Sequence, residues 1–285
     1  MKSNFCFIIP SYCNSDLHGL QLKRCVASIR KWHDNPIFII DDFSEMNIHN
    51  YLSEFKDIMV VKSQVKAAGD MVTYFNFLQI DGYKNAVIFQ DSMTLEHELE
   101  NVTDIDTVSH IWYFTNHRHH WHKIKEPDTE YNKQNNIRVH DDLMMDCINK
   151  MITNEKFREW AINIYPQKNK WSGNIGCQSI IDKEFLLKLE EETGIVSIMY
   201  KMNNNRFRRV AESLFPLACQ YVIGDSIVEK GYDGIYYDGI KQQNGNIRLM
   251  AKQLGLGNYN EVVHQVCKNK YFSKITFNRR PIPTK

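Results

Sequence analysis

The chain has 285 residues and a mass of 33.6 kDa, of which 43% are hydrophobic and 12% aromatic. That length and apolar content support a folded core and exclude disorder over most of the chain. The 35 basic and 34 acidic residues leave a formal net charge of +1, which excludes a protein whose main task is to wrap nucleic acid.

Cysteine spacing and the length of the apolar runs indicate a cytoplasmic protein. The seven cysteines form no CxxC pair and several lie inside apolar runs, which predicts reduced and mostly buried thiols. The first apolar run, Phe5–Ile9, is shorter than the apolar region of a signal peptide. No stretch approaches the ~20 apolar residues that a membrane helix needs. We therefore expect a cytoplasmic protein without a transmembrane segment.

The first 95 residues alternate between apolar runs and helical patterns. Phe5–Ile9 predicts a buried strand that ends at Pro10 and Ser11, and apolar residues at helical spacing over 20–32 predict the helix that follows. In chain order, the next predicted elements are strands over Ile37–Ile40 and Ile58–Lys62, a helix over Gly69–Ile80 and a strand over Ala86–Phe89. This β-α-β rhythm predicts an α/β fold with a doubly wound, mostly parallel central sheet and flanking helices.

The pattern changes after residue 95. The predicted elements here are a strand over Ile111–Phe114, helices over Val139–Met151, Glu155–Ile164, Lys183–Glu192 and Arg206–Ile223, and short strands within Trp171–Ile181. Residues 117–136 are polar, which predicts an exposed loop. Four histidines lie between His117 and His122, but their adjacency does not match the spacing of a dedicated zinc site. We interpret this segment as a surface loop near an acceptor cleft.

Polar and acidic residues follow two of the predicted strands directly. Asp41 and Asp42 come after the second strand, and Gln90, Asp91 and Ser92 come after the fourth. Ligands of doubly wound sheets bind beyond the carboxyl ends of the strands. Carboxylates at that edge can accept hydrogen bonds from a nucleobase or ribose, or can bind a divalent cation that bridges a diphosphate. The alternative is that each acid only caps a turn.

Several of these segments together resemble the GT-A type glycosyltransferases, including uncharacterised members encoded by large DNA viruses and algae. Phe7–Tyr12 and Ile39–Asp42 are similar to the nucleotide-binding part of that fold. Ala68–Phe75 and Val87–Ser92 resemble the segment that carries the family's Asp-x-Asp metal motif. Here the single acid Asp91 stands where the usual motif has two, and fewer charged ligands predict weaker metal binding.

The resemblance implies two functional halves of one domain. Residues 1–95 would bind the nucleotide sugar, and residues 96–285 would form the acceptor-side and catalytic half. The implied donor-binding residues are Pro10, Ser11, Tyr12, Asp41, Asp42, Gln90, Asp91, Ser92, Trp171, Gly173 and Arg279. Arg279 belongs to a basic C-terminal segment that would cover the diphosphate, although a solvated basic terminus is the alternative. The implied cofactor is Mn²⁺ or Mg²⁺, bound by Asp91 and by His264.

The resemblance also implies a general base. Glu212 stands at the position that carries the base in inverting members, where it would remove the proton of the acceptor hydroxyl. The alternative is an ion pair with Arg208 or Arg209 on the surface of the same helix.

The sequence therefore predicts a GT-A-like glycosyltransferase. It would move a sugar from a UDP- or GDP-sugar donor to a hydroxyl group of a glycan or another acceptor, with inversion, and without a nucleic-acid partner. Retention stays open. A nucleotidyltransferase also stays open, although its usual glycine-rich basic loop after the first strand is missing. A third possibility, favoured by the single-acid motif, is an inactive protein that binds a sugar nucleotide or a glycan.

Overall fold

The structure is a computed structural model that describes residues 4–66, 69–111, 113–115, 140–167, 170–200, 205–224, 263–268 and 272–277. The strands are β1 Phe5–Ser11, β2 Ile37–Asp41, β3 Ile58–Lys62, β4 Asn85–Ile88, β5 Met93–Leu95, β6 Val108–His110, β7 Tyr113–Thr115, β8 Ser172–Asn174, β9 Ser179–Asp182, β10 Val263–Lys268 and β11 Phe272–Phe277. The helices are α1 Asp16–Arg30, α2 His49–Leu52, α3 Met71–Gln79, α4 His140–Met151, α5 Glu155–Ile164, α6 Lys183–Thr193, α7 Ile195–Tyr200 and α8 Asn205–Ile223. Short 3-10 turns lie at Val102–Asp104 and Ile175–Cys177.

A six-stranded sheet in the order β3-β2-β1-β4-β9-β6 forms the centre of the fold. β1 pairs in parallel with β2 and β4, and β2 pairs in parallel with β3. β9 runs antiparallel to β4 and β6. Two smaller sheets have the orders β10-β11-β5 and β7-β8. The predicted fold class is confirmed in its architecture: the chain is an α/β protein with a mostly parallel central sheet and flanking helices.

Successive side chains of the central strands enter two different hydrophobic cores. In β1, Phe7 and Ile9 pack in a core with α1, whereas Cys6 and Ile8 pack in a core with α3 and the helices that follow residue 140. All four side chains are fully buried. A strand buried on both faces needs apolar residues at every position, which explains the continuous apolar run in the sequence. Because α1 and α3 cover opposite faces, the sheet is doubly wound.

The first strand is longer than the sequence predicted. The predicted strand ended at Ile9, but β1 continues through Pro10 and Ser11, which pair with β2. On the other side, Ile8 is the last residue of β1 that pairs with β4. Pro10 has no N–H group, so it cannot extend the ladder toward β4. The β1–β4 ladder therefore ends where the strand order changes direction, which is the usual place for a ligand crevice in such sheets.

The antiparallel strand β9 brings the second half of the chain to this same edge. In its register with β4, Ala86 pairs with Ile181 and Val87 with Ile180. Because the two strands run in opposite directions, the residues just before β9 lie beside the residues just after β4. The turn Ile175–Cys177 and the end of β4 consequently meet at the carboxyl edge of the sheet.

Some predicted elements differ from the observed ones. α1 begins at Asp16 rather than at residue 20, and the strand predicted over Ile111–Phe114 is replaced by β6 and β7. The sequence did not predict β5 or α7, which have three and six residues, because such short segments show too little periodicity. The histidine-rich loop at 117–136 and Arg279 lie outside the described residues. The six cysteines whose side chains the structure describes are buried free thiols.

The helices give no sign of a membrane span. In the part of the chain that the structure describes, no helix combines the length and the apolar character that crossing a bilayer requires.

Candidate active site at the carboxyl edge of the sheet

Asp91 and Ser11 meet across the crevice between β1 and β4. The hydroxyl group of Ser11 donates to Asp91 Oδ2 at 3.1 Å. Ser11 is the last residue of β1, and Asp91 lies three residues after the end of β4. Ser11 is 2% exposed, whereas Asp91 is partly exposed. The crevice therefore has a carboxylate at its opening and a buried hydroxyl group beneath it.

Cys13 lies close to the acids from both strand ends. Its thiol is fully buried and lies 3.5 Å from the hydroxyl oxygen of Ser11. Burial raises the pKa of this thiol to about 11, and the nearby carboxylates of Asp91 and Asp41 also raise it. The carboxylates of Asp91 and Asp41 therefore both lie close enough to the Cys13 thiol to interact with it electrostatically. The structure brings together the two strand ends that the sequence singled out.

Asp41 and Asp42 hold the turn after β2. Asp41 Oδ1 accepts a hydrogen bond from Ser44 N at 2.8 Å, so Asp41 does cap a turn. Asp42 N donates to Ser11 O at 2.8 Å, and the side chain of Asp42 is buried with 8% exposure. Phe43 has a φ of 61°, a left-handed conformation that is uncommon for a non-glycine residue. This turn, with its left-handed Phe43, holds Asp41 and Asp42 in place beside β1. A role of these two acids in nucleoside binding stays a prediction.

Gln90 connects Asp91 to a further acid that sequence reasoning did not assign to the site. Gln90 Nε2 donates to Asp70 Oδ1 at 2.5 Å. Asp70 is the residue before α3, so its carboxylate lies at the N-terminal end of that helix, where a negative charge is favoured. The residue next to the single acid of the motif thus has a side-chain amide that binds a carboxylate from another element.

Glu212 points toward this edge of the sheet rather than away from the protein. It lies on α8, is partly buried, and its Oε1 accepts a hydrogen bond from Gly176 N at 2.8 Å. Gly176 in turn packs against Gln90: a Cβ atom on Gly176 would lie 2.7 Å from Gln90 Nε2. The side chains of Arg208 and Arg209 lie outside the described residues. The base predicted from sequence is therefore linked to the strand-end motif through one glycine.

Two predicted donor-binding residues lie in the interior. Trp171 is 1% exposed, its Nε1 donates to Tyr165 O at 3.0 Å, and its ring stacks on that of Tyr165. Gly173 is buried in β8, where it pairs with Phe114 of β7. This placement offers no support for a donor contact by either residue, and both predictions stay untested.

The remaining predicted residues either lie near the crevice or have side chains that the structure does not describe. Pro10 is buried within β1, and Tyr12 is partly exposed and donates through its hydroxyl group to Glu45 at 2.8 Å. Ser92 is partly exposed next to Asp91. His264 lies in β10, but its side chain is not among those described. Within the described ranges, no group of three or more His, Cys, Asp or Glu residues could hold a metal ion.

Sequence reasoning did not name Asp70, Gly176 or Gln178 as site residues, although Asp70 and Gly176 lie in segments that resemble parts of the family's site. Gly176 and Cys177 both have positive φ values, of 61° and 52°, and Tyr74 donates through its hydroxyl group to the carbonyl oxygen of Cys177. A signal was present in the sequence: the second glycine of the Gly173–Gly176 segment is where a left-handed turn is expected. The contacts of Gln90 with Asp70 and of Tyr74 with Cys177 join residues that are 20 and 103 positions apart along the chain, and they have no local signal.

Comparison with known proteins finds similarity among solved structures. No family model and no curated protein matches the chain. Among solved structures, the chain is similar to residues 1–349 of S. aureus TarS in complex with UDP, at 15% identity and a TM-score of 0.29, covering 36% of this chain and 30% of that one. The complex of the same fragment with UDP-GlcNAc gives 14% identity, a TM-score of 0.29 and the same coverage. S. aureus TarS gives 14% identity and a TM-score of 0.30, covering 36% of this chain and 18% of that one. The chain thus spans less than a third of the length of these proteins.

Proposed function

We propose that this chain is a glycosyltransferase that uses a nucleotide-diphosphate-sugar donor. The observation that carries the proposal is the contact chain at the carboxyl edge, which runs from Ser11 and Asp91 through Gln90 and Gly176 to Glu212. It joins a carboxylate at the switch-point crevice to a second carboxylate on a separate helix. Two carboxylates on different elements suit a reaction that needs charge stabilisation on one side and proton removal on the other.

The donor would lie across the crevice between β1 and β4. The turn that Asp41 and Asp42 hold would contact the nucleoside, and Asp91 would face the diphosphate. The buried hydroxyl and backbone groups of Ser11 would form hydrogen bonds of defined direction with the donor, and these groups add no charge to the site. The donor class we propose is a UDP- or GDP-sugar.

A divalent cation, Mn²⁺ or Mg²⁺, fits this site as an ion shared with the donor. The described residues offer one carboxylate at the crevice, Asp91, with the hydroxyl group of Ser11 beside it. Mg²⁺ is commonly bound by one or two carboxylates together with substrate phosphates, which matches such a sparse set. When bound, the ion would neutralise negative charge on the leaving diphosphate. We propose Asp91 as its main protein ligand.

Glu212 would act as the general base. It would accept the proton of the acceptor hydroxyl while that oxygen forms a bond to the anomeric carbon. The bond between the anomeric carbon and the diphosphate oxygen breaks, and its electron pair leaves with the nucleoside diphosphate. Attack from the face opposite the diphosphate gives inversion. The hydrogen bond from Gly176 N fixes the orientation of the carboxylate.

The first test measures release of nucleoside diphosphate from a panel of UDP- and GDP-sugars, with and without Mn²⁺ and simple sugar acceptors. We expect release from at least one donor, and Asp91→Asn should lower it about 10²-fold or more because a charge-stabilising group is lost. The control is Asp81→Asn, an exposed acid just before the opposite end of β4, which should retain activity.

Three results contradict parts of the proposal. Release of pyrophosphate from a nucleoside triphosphate and a sugar phosphate would indicate a nucleotidyltransferase. Binding of UDP or GDP without turnover of any donor would indicate a binding protein. Equal activity of Asp91→Asn and the unmodified chain would remove Asp91 from the diphosphate site.

A further inference from the structure

Gly176 lies between the two carboxylate-bearing parts of the site and contacts both Glu212 and Gln90. Its N–H donates to Glu212 Oε1 at 2.8 Å. Its Cα faces two amide groups, because a Cβ atom there would lie 2.7 Å from Gln90 Nε2 and closer still to Gln178 Nε2. Real Cβ atoms do not approach other atoms so closely. A larger residue at position 176 would have to displace the side-chain ends of Gln90 and Gln178 and would be strained by the left-handed φ of 61°.

Gln90 links Gly176 to the donor side of the crevice. Its Nε2 also donates to Asp70 Oδ1 at 2.5 Å, and its backbone leads directly into Asp91. The carbonyl oxygen of Gln90 accepts from the thiol of Cys25 and from Met93 N. Both the side chain and the backbone of Gln90 are therefore held, so a group inserted at Gly176 cannot be accommodated by a free rotation of Gln90.

The turn that contains Gly176 is also fixed on its other side. Gln178 is fully buried, and its Nε2 donates to Gly176 O at 3.3 Å. Tyr74 donates through its hydroxyl group to the carbonyl oxygen of Cys177. Gly176 and Cys177 both have left-handed φ values. The direction of the Gly176 N–H group is consequently set by the buried core rather than by solvent.

We propose that Gly176 is a positioning residue, which sets the distance and orientation of the Glu212 carboxylate relative to the donor-side Gln90 and Asp91. The inference rests on the proposed function, because it explains why Gly176 connects the proposed base Glu212 to Gln90. Misplacement of a catalytic group by about 1 Å is enough to reduce a rate about 10²-fold. A single methyl group at Gly176 should produce such a displacement without removing any catalytic side chain.

Gly194 offers a matched control for the backbone conformation. It has a φ of 65°, close to the 61° of Gly176, but a Cβ atom there would meet nothing within 4 Å. Gly194→Ala therefore introduces the same backbone strain without a collision. Any effect of Gly176→Ala beyond that of Gly194→Ala comes from the contacts of Gly176 with Gln90, Gln178 and Glu212.

The activity test compares Gly176→Ala with Gly194→Ala, using the UDP- or GDP-sugar that gives the highest turnover in the panel. We expect kcat to fall about 10²-fold in Gly176→Ala, while calorimetry shows unchanged affinity for UDP or GDP. Gly194→Ala should retain kcat. An equal kcat in both variants, or a loss of nucleotide affinity that accounts for the whole decrease, would overturn the proposal.

A second measurement does not depend on turnover or on the folding of Gly176→Ala. In the otherwise unmodified chain, Glu212→Ala removes the acceptor of the Gly176 N–H group. Hydrogen exchange at the Gly176 amide should accelerate about tenfold or more, because a hydrogen bond to a charged acceptor is lost. Unchanged exchange and an unchanged amide proton shift at Gly176 would refute the contact itself. Absence of turnover with every donor in the panel would instead refute the proposed function, while the exchange result would still decide whether Gly176 holds Glu212.

Discussion

At the scale of single residues, each of the two proposed catalytic carboxylates accepts a hydrogen bond from a neutral donor. Asp91 accepts from the hydroxyl group of Ser11, and Glu212 accepts from the backbone N–H of Gly176. A neutral donor fixes the direction of a carboxylate and leaves its charge in place. This arrangement suits a carboxylate that must accept a proton or face a cation.

The Glu212→Gln variant tests the role of that carboxylate. An amide retains the shape and can still accept from Gly176 N, but it cannot take up the acceptor proton. We expect kcat for transfer to decrease about 10²- to 10⁴-fold, with unchanged affinity for UDP or GDP, measured by steady-state kinetics and calorimetry. Glu184→Gln, an exposed change on α6, should have no effect on either quantity. Retention of full transfer activity by Glu212→Gln would exclude Glu212 as the base.

At the scale of elements, the direction of β9 decides which parts of the chain can meet. Because β9 is antiparallel to β4, the turn Ile175–Cys177 lies beside the end of β4. The same strand leads straight into α6, which Asp182 caps: Asp182 Oδ1 accepts from Phe185 N at 2.8 Å. Asp182 is 3% exposed, so no water can readily replace its side chain as the acceptor. The cap thus helps to fix the junction between the sheet and the helices of the second half.

Removal of this cap should destabilise the fold. We expect Asp182→Ala to reduce the free energy of unfolding by about 1 to 2 kcal/mol, as measured by urea denaturation. Asp182→Asn keeps an acceptor at the same position and should lose much less. If both variants unfold at the same urea concentration as the unmodified chain, the hydrogen bond to Phe185 N contributes no net stability.

At the scale of the whole molecule, a group of buried polar side chains lies where the central sheet meets the segment before β9. His110 is fully buried, and its Nδ1 lies 2.8 Å from Asn174 Nδ2, which also donates to Gln178 O. Atoms His110 Nε2, Asn174 Oδ1 and Gln178 Oε1 are buried and have no hydrogen-bond partner within the described part of the chain. Burial lowers the pKa of His110 to about 4. The fold therefore requires neutral His110.

This requirement predicts a dependence of stability on pH. In the unfolded chain a histidine takes up a proton near pH 6.5, but folded His110 does so only near pH 4. Between these values the unfolded state binds more protons, so the contribution of His110 is fully present above pH 6.5 and is lost as the pH falls toward 4. The slope from this residue should reach about 1.4 kcal/mol per pH unit.

Urea denaturation at several pH values between 7 and 4 measures this slope. His110→Asn removes the titrating ring, so the free energy of unfolding should decrease less steeply with falling pH in the variant. All other ionisable groups are common to both proteins, which isolates the effect of His110. Parallel curves for the two proteins would show that the His110 ring accepts a proton equally well in the folded and unfolded states.

The sequence alone determined β1 to β4, α1 and α3 of the first 95 residues and the polar ends of those strands. Strands buried on both faces require continuous apolar runs, and α1 and α3 require apolar residues at helical spacing, so local patterns contain this information. Asp41, Asp42 and Asp91 were singled out as candidates because the carboxyl ends of parallel strands share one edge. The α/β class follows from the same alternation.

Only the tertiary structure decided which residues from the rest of the chain join that edge. The antiparallel direction of β9 cannot be obtained from periodicity, because a short buried strand has the same pattern in either direction. That direction places Gly176 against Gln90 and Glu212, and it places Trp171 in the core. Contacts between residues so distant in sequence depend on the packing of several elements at once, and no local pattern specifies them.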